Sequence, residues 1–152
     1  MILRRFVILS FVIATVIPAV VLASAGPAAA CSCVMRTEVQ TFEDATAVFT
    51  GRVTDVLVTD DAHGARRVVW TFVVDHVYKG KVFRNEKVVT PFDSAACGLG
   101  AKPGTKPLLV FAHRARGQGK YSTSLCDGDR RVSEGPIPSE FGSGTGPRRR
   151  AQ

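Results

Sequence analysis

The chain has 152 residues and a formal net charge of +7. That length supports one domain around one core. Nucleic-acid binding would call for a basic stripe with interleaved aromatics; five of the positive residues here are instead Arg4 and Arg5 at one end and Arg148, Arg149 and Arg150 at the other, so no nucleic-acid partner is expected.

Residues 1–30 read as a signal peptide. Arg4 and Arg5 form a positive start, Phe6 to Leu22 is almost continuously apolar, and Ala28-Ala29-Ala30 supplies the small residues a signal peptidase requires. A retained membrane helix would need about 20 apolar residues and usually lacks a small-residue exit. Cleavage after Ala30 makes Cys31 the first residue of a 122-residue mature chain and lowers the charge from +7 to +5. No second long apolar stretch follows, so the expected protein is secreted, extracytoplasmic and without a membrane span.

In the mature chain, Arg36 to Ala45 is the one segment with a helical pattern. Val39 and Phe42, three apart, would share its core face. From Ala47 the period becomes two. Phe49, Gly51, Val53 and Leu57 fall on one face of a first strand, with Thr50, Arg52 and Thr54 on the other. Asp60-Asp61-Ala62-His63-Gly64 is a turn cluster. A second strand runs from Arg67 to Val77, with Trp70, Phe72 and Val74 on its core face, and ends at Tyr78-Lys79-Gly80. Glu86 to Pro91 is a third strand, Pro107 to His113 a fourth, and Tyr121 to Leu125 a short fifth; the loop from Phe92 to Lys106 holds Cys97. Beyond Gly135 the composition turns to Gly, Pro, Ser and Arg. Too little apolar surface remains there to offset ordering entropy, so residues 135–152 are expected to be a disordered tail after a domain spanning 31–134. Five short strands and one small N-terminal helix predict an all-β antiparallel barrel, with the five-stranded Greek-key OB-fold as the leading form and a small sandwich as the alternative.

All four cysteines (Cys31, Cys33, Cys97 and Cys126) follow the leader, and an even count in an exported chain reads as two disulfides. Bridging Cys31 to Cys33 would close a strained three-residue ring. The two other pairings both tie the Cys-Ser-Cys start to two distant points, each bridge worth about 4 kcal/mol in the chain-entropy model.

Catalysis has little support. His63, His76 and His113 show no metal-ligand spacing and adjoin no nucleophile motif. The cysteines are used more simply in bridges than as thiolates. The reading is therefore of a protein that is not an enzyme and has no cofactor. The mature N-terminus stands apart. An α-amine titrates near pH 8 (about 7.7–8.0), so it can give its proton up to a metal at modest cost. With the carbonyl oxygen of the same residue it forms a five-membered chelate. A cysteine clamped by its own disulfide would hold both groups rigid. The plainer alternative is that Cys31 merely anchors the terminus.

The start Cys31-Ser32-Cys33-Val34 resembles the first residues of the tissue inhibitors of metalloproteinases, whose inhibitory domain is a netrin-like OB-fold. The similarity continues through Ala47 to Val53, Val77-Tyr78-Lys79-Gly80, Val89-Thr90-Pro91, Ser94-Ala95-Ala96-Cys97-Gly98, Leu108 to Ala112 and Ser122 to Cys126, covering about residues 31–128. The resemblance implies pairing of Cys31 with Cys97 and of Cys33 with Cys126. It implies that the Cys31 amine and carbonyl chelate the zinc of a target metalloprotease, that Ser32 enters the adjoining pocket, and that Cys33, Val34 and residues Ser94 to Gly98 complete a protease-binding ridge on a monomer. The chain departs from that pattern in four places, one being the loop Asp60 to Arg66, which gives little extra contact surface. The family's third disulfide is missing at both ends, Glu43 standing where one cysteine would fall. With four cysteines in these 152 residues the six-cysteine C-terminal domain is not expected, and Met35 replaces a proline-type position. The alternative function is a non-inhibitory netrin-like binding or structural module of the cell envelope, including a lipoprotein anchored through Cys31.

Overall fold

The computed structural model of the chain describes residues 31–61, 63–101, 104–115 and 121–149; the predicted signal peptide and residues 150–152 lie outside them. Thr37 and Gln40 start the α-helix α1 (Glu38–Asp44). Thr37 Oγ1 accepts from the Gln40 N–H at 3.2 Å, and Gln40 Oε1 accepts from the Thr37 N–H at 3.0 Å, so two amides left open by a helix start satisfy each other's residues. The inner stripe of α1 runs through Thr41, Phe42 and Ala45. Phe42 stacks on Phe141 with ring centroids 4.2 Å apart, but Val39 is 36% exposed, contrary to the expected core position. At about 100° per residue, the stripe that buries Thr41 and Ala45 leaves Val39 on its flank.

Six strands follow: β1 (Ala47–Asp60), β2 (Arg66–Lys79), β3 (Asn85–Pro91), β4 (Leu108–Arg114), β5 (Tyr121–Ser122) and β6 (Arg130–Arg131). The hydrogen-bonded order β1-β2-β3-β5-β4 closes on itself through a β1–β4 pairing, and β6 adds to β4 at Leu108 and Leu109. Four of the five seams of this ring are antiparallel, and β3–β5 is parallel, with Val88 opposite Tyr121 and Val89 opposite Ser122. The expected antiparallel barrel is corrected at that seam for a topological reason. A closed ring with an odd number of strands cannot alternate direction all the way round. The fifth strand is also shorter than expected, because a 3-10 turn at Leu125–Asp127 takes over after Ser124.

Phe49, Trp70 and Phe72 pack edge to face inside the ring, at 5.3 Å for Phe49–Phe72 and 6.1 Å for Trp70–Phe72, and all three are buried as the strand pattern predicts. The N-terminal half of β1 and the centre of β4 are buried on both faces. Phe49 and Val110 point inward, while Val48, Leu109 and Phe111 meet a second cluster with Phe42 and Phe141 on the outside. Further along β1 the inner face changes parity. A register shift between Val53 and Asp55 turns Val56 toward the core and leaves Leu57, expected inside, 57% exposed. The β1–β2 turn is capped by Asp61, whose Oδ1 accepts from the N–H groups of His63 and Ala65 at 2.9 Å each. Those two bonds, Ala65 first, and the Arg67 guanidinium hold its carboxyl below the usual range.

Residues 135–149 differ most from expectation. They lie against the barrel. Phe141 is 5% exposed, and Val77 and Thr145 exchange two backbone hydrogen bonds of 2.8 Å each. Arg148 donates from its N–H to the Val82 carbonyl and accepts from the Arg84 N–H, at 2.9 Å in both cases. The Arg130 guanidinium binds the carbonyls of Gly135 (3.0 Å) and Pro136 (2.9 Å) and pairs with Glu38 of α1. The segment is poor in apolar residues, but the few it has, Ile137 and Phe141, fill the groove between α1 and the outer face of β4.

Candidate functional site

Cys31 is joined to Cys97 and Cys33 to Cys126, with Cα–Cα separations of 5.2 and 5.1 Å. This is the pairing the family resemblance implies, and it leaves no free cysteine among the described residues. The bridges lie against one another, Cys126 Sγ being 3.7 Å from Cys31 Sγ and 3.9 Å from Cys97 Sγ. Three chain segments therefore converge: residues 31–35, residues 92–98 after β3, and residues 123–127 after β5.

The middle segment owes its shape to local hydrogen bonds. A 3-10 turn, Ser94–Ala96, is closed by Ala96 and Gly98 N–H groups donating to the Asp93 carbonyl at 3.0 and 2.9 Å, and by Cys97 N–H donating to Ser94 O at 3.0 Å. Cys97 then adopts a left-handed backbone, φ 59°, which costs a non-glycine residue roughly 1 kcal/mol or more and is held here by its surroundings. Gly98 is required by contact. A Cβ placed there would lie 2.0 Å from the Pro91 carbonyl oxygen. The Cys97 carbonyl accepts from the Leu125 N–H at 2.8 Å, and the Leu99 N–H donates to Thr90 Oγ1 at 3.1 Å. The third segment is capped by its own sequence. Asp127 Oδ2 accepts from the Ser124 N–H at 2.7 Å and lies 2.9 Å from Ser124 Oγ.

Of the residues singled out from sequence, Ser32, Cys33, Val34, Ser94, Ala95 and Ala96 are exposed, Cys31 and Cys97 are half-buried, and Gly98 is buried beneath them. The two segments meet at the Cys31–Cys97 bridge and form one surface. The histidines take no part in it as a group. His63 and His76 are exposed at separate places, and His113 is half-buried with Nε2 3.3 Å from Asp127 Oδ1. Among the described residues, the sulfurs of Cys31, Cys97 and Cys126 are close enough to share a metal, but their bridges leave them without thiolate character.

Sequence reasoning missed three contributors. Leu125, 48% exposed, stands beside Cys126 and is fixed to the Cys97 carbonyl; Met35, 95% exposed, extends the apolar surface begun by Val34, itself 76% exposed. Asp129 pins the third segment to β4 from beneath. The Ser124-x-x-Asp127 spacing, a capping-box pattern, was the available signal for this turn. No protein-family model matches the chain, and no curated protein matches it. Among the described residues no helix is long and apolar enough to cross a membrane.

Proposed function

We propose that this is an exported, netrin-like OB-fold protein that inhibits a zinc metalloprotease by presenting the α-amine and carbonyl of Cys31 to the enzyme's zinc. The observation that carries the reading is the Cys31–Cys97 bridge, flanked on both strands of chain by exposed small or β-branched residues: Ser32 and Val34 on one, Ser94, Ala95 and Ala96 on the other. A rigid, doubly cross-linked wedge loses little entropy on entering a cleft. A catalytic zinc keeps one position open for a ligand. The ring order with its parallel β3–β5 seam agrees with OB-fold connectivity, and two disulfides suit an oxidising compartment.

The missing third disulfide has a counterpart in packing. Lys79 Nζ donates to the carbonyls of Phe42 and Glu43, at 2.7 Å each, and sits 5.2 Å from the centroid of the Phe42 ring. It ties the end of α1, where one cysteine of that disulfide would fall, to β2. Anchoring through a lipid on Cys31 is disfavoured, because the thiol that would be acylated is already bonded to Cys97.

The test is a titration of the chain beginning at Cys31, and of the same chain with one additional Ala in front, against a panel of secreted zinc metalloproteases. The Ala-extended form loses the primary amine at Cys31, and inhibition is expected to fall at least 100-fold while the barrel stays intact. Equal inhibition by both forms refutes chelation. No inhibition by either refutes the inhibitor reading and leaves the non-inhibitory module.

A further inference from the structure

Between the positions where β4 meets β6 (Leu108, Leu109) and β5 (His113, Arg114), Phe111 has no strand partner among the described residues on that edge. Two side chains stand in for one. The Phe111 N–H donates to Asp129 Oδ1 at 2.7 Å, and the Phe111 carbonyl lies 3.2 Å from Thr123 Oγ1. Thr123 Oγ1 is in turn 2.7 Å from Asp129 Oδ2. Thr123 and Asp129 are thus the two ends of the loop that carries Leu125 and Cys126, and both ends are clipped to a single residue of the barrel.

We propose that this Thr123–Asp129 clip is a proton-operated latch, which sets how firmly the 123–129 loop and, through the Cys33–Cys126 bridge, the N-terminal segment are held to the barrel. The inference concerns the loop itself and stands whatever the N-terminal surface binds. Its basis is the count of donors. With a proton on Oδ2, Asp129 donates to Thr123 Oγ1, the Thr123 hydroxyl donates to the Phe111 carbonyl, and the Phe111 N–H donates to Oδ1, so every group is paired. Without that proton the single Thr123 O–H must turn to the carboxylate, and the Phe111 carbonyl loses it.

Among the described residues, the charged groups around the clip leave the Asp129 carboxyl without a cation of its own. Asp127 faces it from the loop and is occupied by Ser124 and by His113 of β4. From β6, Arg130 turns to Glu38 of α1 and to the Gly135 and Pro136 carbonyls. From β1, the residues paired here, Ala47 and Val48, carry no charge. Burial pushes the Asp129 carboxyl up from 3.8 to about 7, against the lowering effect of the Phe111 N–H and Thr123 hydroxyl, and the Asp127 charge adds to the rise. The closed loop therefore holds the proton more tightly than the open one. Between those two values, raising the pH favours opening by up to about tenfold per pH unit.

The experiment uses the mature chain labelled with 13C and 15N. The Asp129 carboxyl resonance is expected to titrate with a midpoint near 7. Exchange of the Phe111 amide, corrected for intrinsic base catalysis, should accelerate by up to about tenfold per unit from pH 5 to 7. Asp129→Asn can complete the same ring of bonds without a proton, so it should abolish that excess acceleration. Thr123→Val removes a donor to the charged form and should move the carboxyl midpoint upward. The wild-type midpoint and the Thr123→Val shift read the latch even if Asp129→Asn does not fold. A wild-type midpoint below 5, a Thr123→Val midpoint that stays in place or falls, or wild-type pH dependence in a folded Asp129→Asn chain overturns the proposal.

Discussion

Phe141→Ala is the most direct test of how the C-terminal segment belongs to the fold. The side chain is 5% exposed, stacked on Phe42 at 4.2 Å and edge-on to Phe111 at 6.0 Å and Tyr78 at 6.4 Å. Deleting a buried phenylalanine costs about 3–5 kcal/mol when the cavity persists. Here the covering segment is a single strap that can settle, so the lower end, about 3 kcal/mol, is expected. That corresponds to roughly 10 °C in Tm for a domain of this size. Trp70, the one tryptophan of the chain, is buried in the ring and reports unfolding in urea by fluorescence. The tail should also become cleavable by trypsin at Arg148 under conditions where the barrel resists. A loss below about 1 kcal/mol, with unchanged cleavage, would show that the tail is not part of the packed structure and would restore the sequence-based expectation for residues 135–149.

Two further changes probe the ridge. Gly98→Ala drives a methyl against the Pro91 backbone, where neither atom can rotate away, and should destabilise by about 3 kcal/mol in urea melts; a cost under 1 kcal/mol would mean that the 92–98 segment is loosely held. The double change Cys33→Ser and Cys126→Ser removes the bridge spanning 93 positions and should lower stability by about 4 kcal/mol under non-reducing conditions, unless the denatured chain is already compact.

The strand order along the chain and the core role of Trp70 and Phe72 were legible because a period of two is a local signal. What escaped was set by partners distant in sequence. Leu57 sits at an inward position of a regular strand, and only the register shift near Thr54 against β2 turns it out. Val39 and Phe42 look equivalent at three-residue spacing, and the tail's Phe141 decides which is covered. The tail itself read as too polar to order. Its binding relies on the backbone bonds at Thr145 and Arg148 and on the Arg130 guanidinium, none of which composition reveals. At the ridge, the cysteines were visible at once, but residue spacing left two pairings open. Asp129 was passed over because an acid next to Arg130-Arg131 looks like a surface residue until its Phe111 and Thr123 partners are known.

The two bridges connect positions 66 and 93 residues apart, and both begin within the first three residues after Ala30. A ribosome therefore makes the Cys31 and Cys33 side of the surface early, and the residues that complete it, around Cys97 and Cys126, much later. Cys31 and Cys33 must wait as open thiols while Cys97 and then Cys126 are synthesised, and a premature partner during that interval would lock the N-terminus in the wrong place. The parallel β3–β5 seam adds to the separation, because β4 lies in sequence between the two strands it joins. Residues 31–33 are thus synthesised early and cross-linked late. An oxidant that acts on the finished barrel, rather than on the emerging chain, is the one this topology favours.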